Sequence, residues 1–263
     1  MIFKAPAIAE LFFCAFAKPL HLCVKLKMQS PFFYINNYDA AQKEIVLNED
    51  TSKHIVQVLR MKVGEKLNLT DGRGSLLTCE VIDDNKKHCT VEVKETRFRE
   101  QDTRKVSVAI SLLKNTNRFE WFLEKATEIG VSEIIPLICE RTEKEKFRYD
   151  RMLGIVISAM LQSQQTWLPV LHEPASFKDL KNWKCADGPN FIAHCIDRGK
   201  QALTHQHIST SAHSLICIGP EGDFTKEEIE LALQNDFTPV TLGETRLRTE
   251  TAGVVAATLL CHI

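Results

Sequence analysis

The sequence lacks any apolar run close to the ~20 residues that a membrane-spanning helix needs. It also lacks an excess of either charge, because 33 basic and 34 acidic side chains leave a formal charge of −1 at pH 7. Composition therefore gives no sign of a polybasic protein, and any contact with nucleic acid has to come from a local cluster of cations. The length of 263 residues is ample for two domains.

Metal-ligand spacing is absent too. The nine cysteines form no Cys-x-x-Cys pair, and no His-x-x-x-His follows them at zinc-finger distance. Several lie in apolar, strand-like runs, such as Cys217 between Ile216 and Ile218. Buried free thiols in a reducing compartment are the simplest interpretation, so we expect a cytoplasmic protein with no metal site.

Residues 1–27 differ from the rest, with four lysines, a single acid and a short apolar run. Ala15–Ala17 resembles a signal-peptide cleavage site, but Glu10 interrupts the apolar run. Because Met28 begins a self-contained pattern, we favour an N-terminal extension that arises from a misassigned start codon.

Residues 28–102 are dominated by short alternating runs that predict strands, including Lys66–Thr70 and Ser75–Ile82, joined by turns. One helix is expected among them, with Asp50 or Thr51 as its N-cap. Short strands at this spacing favour a small β-barrel. The charged stretch Arg97–Lys105 is interpreted as a linker.

In residues 103–263 strands alternate with helices, which predicts a mostly parallel α/β sheet. The expected helices include Tyr149–Gln165 and one opened by a capping box from Thr225 to Glu228. The last helix, Thr249–Ile263, is apolar on nearly all sides and should be buried.

Two loops follow predicted strands at their carboxyl ends, where open α/β sheets bind ligands. The first is Gly219–Phe224, whose glycines allow a ligand to approach the backbone closely. The second, Leu242–Ala252, leads directly into the last helix. Each loop taken alone is equally compatible with a plain tight turn or a helix cap. Neither is a Gly-x-Gly-x-x-Gly fingerprint, which makes a nicotinamide dehydrogenase a distant alternative.

The chain from Met28 onward resembles the bacterial 16S ribosomal RNA uridine-N3 methyltransferases of the SPOUT, or α/β-knot, superfamily. The resemblance rests on five segments: His54–Met61, Lys125–Val131, Glu140-Arg141, Ile218–Gly222 and Leu242–Ala252. The family implies an N-terminal PUA-like β-barrel for RNA and a C-terminal trefoil-knotted methyltransferase domain that forms a homodimer. Such a knot is a rare exception to the rule that chains do not thread loops.

The resemblance also implies that the knot loops bind S-adenosylmethionine, largely through backbone groups. The residues carried over by position are His194, Ile218, Gly219, Pro220, Glu221, Gly222, Leu242, Gly243, Leu247, Arg248, Thr249 and Ala252.

Two side chains of the second loop suit methyl transfer to a uracil. Arg248 is the candidate for stabilising the negative charge that grows on the carbonyl oxygens. Glu250 has three candidate roles: orienting Arg248, balancing the sulfonium, or accepting the N3 proton. It also stands near a helix start, where the dipole favours a carboxylate in any case.

The barrel is expected to grip phosphates of 16S ribosomal RNA in the small ribosomal subunit, through Arg60, Lys62 and His54. Two positions depart from the family pattern. Many relatives have glycine where Asp223 stands, and many have a basic residue near Gln165, which puts one RNA contact in doubt.

Two other functions stay open at this point. A SPOUT 2′-O-ribose methyltransferase would share the fold, although the Asn115–Arg118 region does not match the motif of that group. A PUA-like RNA-binding protein with an inactive knot domain is the second. The intact residues Gly219, Gly222, Arg248 and Glu250 weigh against it.

Overall fold

The computed structural model describes residues 30–196, 199–203 and 213–262. The expected N-terminal extension, residues 1–27, lies outside the described residues. The chain builds two separate sheets, one of five strands and one of eight. None of the described helices combines the length and the apolar composition that a membrane span requires.

The first sheet is mostly antiparallel and has the strand order β1-β3-β4-β5-β2, in which only β1 and β3 are parallel. Its strands are β1 (Phe32–Tyr34), β2 (Glu44–Val46), β3 (Lys66–Thr70), β4 (Ser75–Asp83) and β5 (Thr90–Phe98). Alternate residues of β4 are buried in a core that includes Leu69, Leu77 and Val91. This period of two is the pattern that predicted the strands. The predicted linker Arg97–Lys105 is too long at both ends, because Arg97 and Phe98 still belong to β5 and Lys105 begins the next strand.

The helix of this unit is α1 (Glu49–Lys53), and it continues as a π-helical turn, His54–Val58. The expected cap at Asp50 or Thr51 is wrong: Asn48 is the N-cap, and its side chain accepts a hydrogen bond from the Thr51 amide at 2.8 Å. Asn is as good a cap as Asp, so local preference alone did not fix the position. After the π turn, Arg60 adopts a left-handed backbone with φ +57°.

The second sheet is parallel throughout, as expected, in the order β11-β13-β10-β12-β6-β7-β8, with β9 also paired to β7. Its strands are β6 (Lys105–Ser111), β7 (Glu133–Ile138), β8 (Val170–Leu171), β9 (Ala175–Ser176), β10 (Asn190–Ala193), β11 (Gln201–Ala202), β12 (His213–Ile218) and β13 (Thr238–Thr241). Strands β2, β8, β9 and β11 were not predicted, because two or three residues are too few to show a period.

Helices cover both faces of this sheet. They are α2 (Thr116–Ile129), α3 (Tyr149–Gln162), α4 (Lys226–Gln234) and α5 (Thr249–His262), with a 3-10 turn at Phe177–Asn182. One core joins the sheet to α2, α3 and α5, and a second joins its other face to α4 and the 3-10 turn. The capping box from Thr225 to Glu228 is present, whereas α3 ends at Gln162, three residues earlier than predicted.

A seam of hydrogen bonds connects the two sheets. The Gly74 amide donates to the Thr166 carbonyl at 2.9 Å, and the Trp167 indole donates to the Arg99 carbonyl at 2.8 Å. Gly74 has φ +97°, and a Cβ there would lie 2.8 Å from the Phe98 and Trp167 rings. Only glycine fits this junction without displacing the rings.

Seven cysteines fall in the described part of the chain, and all are free thiols; five of them are buried. Burial raises the pKa of the Cys79 thiol to about 12 and that of Cys89 to about 11. Such thiols stay protonated and behave as small apolar side chains.

Candidate active site

Three loops meet at one edge of the parallel sheet. They follow β10, β12 and β13, which are neighbours in the sheet, so their carboxyl ends lie side by side. Between the loops is a cavity of about 630 Å³. This volume lies within the range of about 300–1,000 Å³ that small-molecule sites occupy.

The cavity gathers nearly all of the residues expected at the cofactor site. Those that line it are His194, Ile218, Gly219, Pro220, Glu221, Leu242, Gly243, Leu247, Arg248, Thr249 and Ala252, together with Glu250. Residues that lie up to 58 positions apart in the sequence, from 194 to 252, are thereby brought to a single site.

Gly222 is the exception, since it does not line the cavity. Its carbonyl accepts a hydrogen bond from the Arg141 guanidinium at 2.6 Å, and a Cβ at this position would lie 3.2 Å from Arg141 Cδ. The neighbouring Glu140 amide donates to Glu228 in α4 at 2.8 Å. The Glu140-Arg141 segment thus supports the loop from outside.

Gly219 packs tightly against Phe224. A Cβ at Gly219 would lie 3.0 Å from the Phe224 ring and 3.1 Å from its amide nitrogen. The Phe224 ring is itself fully buried against Phe177, at 4.8 Å between ring centroids. A side chain at position 219 would therefore push the loop away from the core.

Asp223 connects two of the loops. Its carboxylate accepts hydrogen bonds from the Cys195 amide at 2.8 Å and from the Phe224 amide at 2.9 Å. Its backbone is left-handed, with φ +64°, a conformation that glycine adopts freely and that Asp tolerates better than most residues. The departure from glycine therefore keeps the turn and adds a bridge between the loops.

His194 lies at the end of β10 and is only 8% exposed. Burial lowers the pKa of its imidazole, and the nearby Lys200 cation lowers it further, while Asp223 opposes the shift. The ring is thus kept neutral near pH 7. Its Nδ1 is buried and has no hydrogen-bond partner among the described residues.

Arg248 and Glu250 occupy different environments. Arg248 is exposed at the rim, and Glu250 is buried in the first turn of α5. Glu250 pairs with Arg118, whose Nε lies 3.6 Å from Oε1. Its Oε2 is buried and lacks a partner within the described segments.

Several lining residues were not predicted as site residues: Arg118, Ala193, Cys195, Lys200, Asp223, Val240, Thr241, Glu244, Thr245 and Arg246. Those in the two loops were accessible to prediction, since they adjoin predicted residues. Arg118 was not, because it belongs to another helix, 132 positions before Glu250 in the chain.

The residues present fit a charged, nucleoside-like ligand such as S-adenosylmethionine. His194 Nδ1 is a buried polar atom that still needs a partner. Acidic and basic side chains, among them Glu221, Lys200 and Arg246, surround the cavity together, as a zwitterion requires. No group of three or more His, Cys, Asp or Glu is placed to hold a metal ion in the described ranges.

The three expected RNA contacts lie in the first unit, away from this cavity. His54 packs edge-on against Phe33, at 5.7 Å between ring centroids, and begins the π turn. Arg60 is exposed, and Lys62 forms a surface ion pair with Asp84 at 3.1 Å.

Gln165, the other departure, has a structural role here. Its side-chain amide donates to the Thr127 carbonyl at 2.7 Å, in the last turn of α2. The same carbonyl accepts the Gly130 amide at 3.1 Å, so Gln165 adds a second donor at the C-terminal end of α2.

Two family models match the chain. An RNA methyltransferase domain matches residues 99–261, and an RNA methyltransferase PUA domain matches residues 47–94. Ribosomal RNA small subunit methyltransferase E of Rickettsia conorii is 29% identical over 229 residues, which cover 85% of this chain and 91% of that protein.

Solved structures agree. A probable rRNA-methyltransferase from Porphyromonas gingivalis is 35% identical with a TM-score of 0.78, covering 88% of this chain and 98% of that one. The Ribosomal RNA small subunit methyltransferase E from Neisseria gonorrhoeae, solved bound to S-adenosyl methionine, is 27% identical with a TM-score of 0.78, covering 87% of this chain and 95% of that one. The chain has a PUA unit and a methyltransferase unit, whose parallel sheet carries the cavity at the carboxyl ends of β10, β12 and β13. This chain therefore belongs to the ribosomal RNA small subunit methyltransferase E family of RNA methyltransferases.

Proposed function

We propose that this protein methylates N3 of a uridine in the 16S ribosomal RNA of the small ribosomal subunit, with S-adenosylmethionine as methyl donor. The observation that carries the proposal is the composition of the cavity. It combines an exposed arginine with a buried carboxylate that has a free oxygen, inside the loops that the family resemblance assigns to S-adenosylmethionine.

S-adenosylmethionine would supply an electrophilic methyl group when bound. The residues assigned to hold it are the expected set without Gly222, which supports the loop through Arg141 instead. Fixing donor and acceptor in one geometry contributes up to about 7–11 kcal/mol of barrier lowering.

The protein has two tasks at the uracil. N3 must lose its proton, and negative charge must be stabilised on the flanking carbonyl oxygens. Arg248 is assigned to the oxygens, because its guanidinium lies at the cavity and makes no ion pair in the described structure. No hydrogen bond or ion pair joins Arg248 to Glu250 among the described residues, which leaves Glu250 free to act on the substrate rather than to orient Arg248.

N3 is occupied in a paired base, so the target has to be unpaired or extruded, at a cost of about a few kcal/mol. We assign binding of the surrounding RNA to residues 28–102, through His54, Arg60 and Lys62. Methyl transfer is assigned to residues 103–263. A cytoplasmic homodimer with the knotted topology of the superfamily completes the proposal. Sedimentation of the purified protein as a monomer at micromolar concentration would contradict the dimer.

The test is transfer of labelled methyl groups to small ribosomal subunits that lack the modification, followed by nucleoside analysis. We expect 3-methyluridine with the wild type and a loss of at least about 100-fold in rate with Arg248→Ala, as when one oxyanion donor is removed. Arg151→Ala is the control, because Arg151 pairs with Glu120 on the surface and lies away from the cavity.

Other outcomes are equally informative. A 2′-O-methyl nucleoside would keep the cofactor and overturn the target atom. Cofactor binding without any transfer to the subunits would favour an RNA-binding protein.

A further inference from the structure

The ion pair between Arg118 and Glu250 joins two helices at the wall of the cavity. Arg118 lies in the first turn of α2 and Glu250 in the first turn of α5. Arg118 Nε is 3.6 Å from Glu250 Oε1, and the two side chains are 39% and 8% exposed. Both residues line the cavity.

The close approach of α2 and α5 is built into their sequences. Gly253 lies one turn after Glu250 and Phe122 one turn after Arg118. A Cβ on Gly253 would lie only 2.6 Å from the Phe122 ring and 2.8 Å from Ile110 Cδ1. The absence of that side chain lets the helices pack closely enough for the ion pair to form.

The position of Arg118 runs against local preference. A cation in the first turn of a helix opposes the helix dipole, and α2 has no acidic residue there to compensate. Positions that break a local rule are most often explained by tertiary contacts or by function. For Arg118 the tertiary contact present is Glu250.

The two oxygens of Glu250 are not equivalent. Oε1 faces the Arg118 guanidinium, whereas Oε2 is buried without a partner in the described part of the protein. Burying a carboxylate is costly unless a cation or hydrogen bonds compensate for the lost water. Arg118 provides that charge from one side and leaves the other oxygen free.

We propose, on the basis of the function proposed above, that Arg118 is a positioning residue that holds Oε1 of Glu250 and directs Oε2 to the N3 proton of the uracil. In this step the N3–H bond breaks and the proton moves to Oε2. The electron pair stays on N3, and the resulting charge spreads over the two carbonyl oxygens. Arg118 itself touches neither the base nor the proton.

The experiment is a double-mutant cycle on methyl transfer to small subunits that lack the modification. The variants are Arg118→Met, Glu250→Gln, their combination, Arg118→Lys, and Arg151→Met as a control that breaks a surface Arg–Glu pair. Cofactor affinity is measured by calorimetry on each variant, independently of turnover.

We expect Arg118→Met to lower kcat about 10- to 100-fold, within the contribution of a positioned base, and to change the KM for subunits by less than about threefold. Arg118→Lys keeps the charge and should recover part of the rate. The combined variant should be no slower than Glu250→Gln alone, because Arg118 acts only through Glu250. Cofactor affinity should stay within about threefold throughout.

Additive losses in the combined variant would overturn the proposal, as would a rise in KM with unchanged kcat, which would make Arg118 an RNA contact. A loss of cofactor affinity of more than about tenfold in both Arg118→Met and Arg118→Lys would also overturn it. The proposed function fails separately, when the wild type forms a product other than 3-methyluridine.

Discussion

At the scale of single residues, Asp223 shows how one side chain ties two loops into one site. Its carboxylate holds the Cys195 amide, next to His194, from within the loop that follows β12. The left-handed backbone of Asp223 costs some stability, which glycine would recover. Stability and cofactor affinity should therefore respond differently to its removal.

We expect Asp223→Gly to weaken cofactor binding about tenfold, or about 1.4 kcal/mol, because both amides lose their acceptor. The free energy of unfolding should change little. Asp236→Gly is the matched control, since Asp236 also has a positive φ of +62° but is exposed and pairs with Lys184. Calorimetry and urea unfolding measure the two quantities, and equal cofactor affinity in both variants would contradict the loop bridge.

The buried His194 predicts a pH dependence of stability. Its pKa is lowered in the folded protein, chiefly by burial, so the unfolded chain binds the proton more readily. The stability that the neutral ring contributes is present above pH ~6.5, the ordinary pKa of a histidine. It is lost as the pH falls from there through the lowered pKa, by about 1.4 kcal/mol for each pH unit that separates the folded and unfolded pKa values.

We therefore expect the free energy of unfolding to fall less for His194→Gln than for the wild type between about pH 7.5 and pH 5, a range that spans the ordinary histidine pKa. Urea unfolding at several pH values measures this, with the other histidines common to both proteins. Parallel curves for the two proteins would show that burial does not keep the ring neutral.

At the scale of elements, the packing of α2 against α5 decides the shape of the cavity wall. Ala is a better helix former than Gly by about 1 kcal/mol, yet Gly253 lies where a Cβ would overlap the Phe122 ring. In α3, Gly154 is exposed and has nothing within 4 Å of the position of a Cβ. The same substitution should thus have opposite effects in the two helices.

We expect Gly154→Ala to stabilise the protein by about 0.5–1 kcal/mol and Gly253→Ala to destabilise it by about 1–3 kcal/mol through overpacking. Thermal and urea unfolding measure both. Gly253→Ala should also slow methyl transfer, because it moves Glu250 relative to Arg118. A stabilised Gly253→Ala variant would show that the helices can separate without cost.

At the scale of the whole molecule, a net charge of −1 gives no long-range attraction for RNA. Affinity for RNA must then come from local cations. Arg60 is one candidate: it follows the π turn and its own backbone is left-handed. The seam through Gly74 and Trp167 fixes this unit against the methyltransferase unit. The first unit and the cavity are thereby held in one geometry.

We expect Arg60→Ala to weaken subunit binding and to reduce the slope of log affinity against log salt by about one, as for one lost phosphate contact. Lys62→Ala should have a smaller effect, because Lys62 already pairs with Asp84. Filter binding over a salt series measures the slopes. An unchanged slope for Arg60→Ala would remove Arg60 from the RNA contacts.

The sequence by itself determined the elements that have a clear period or a clear boundary signal. The helix closed by Gly130, the capping box at Thr225 and the two loops after β12 and β13 follow from residue types at short spacing. Local chemistry was sufficient for these, because each depends on contacts within a few residues.

The tertiary structure decided what depends on contacts across the chain. The short strands β2, β8, β9 and β11 form only because a longer neighbour supplies hydrogen bonds. Gly222 does not line the cavity, because Arg141 binds its carbonyl, and the Gln165 side chain donates to the end of α2. Arg118 lies at the cavity because Gly253 allows α2 and α5 to pack closely. Distances between residues far apart in sequence are set by packing, and no local pattern encodes them.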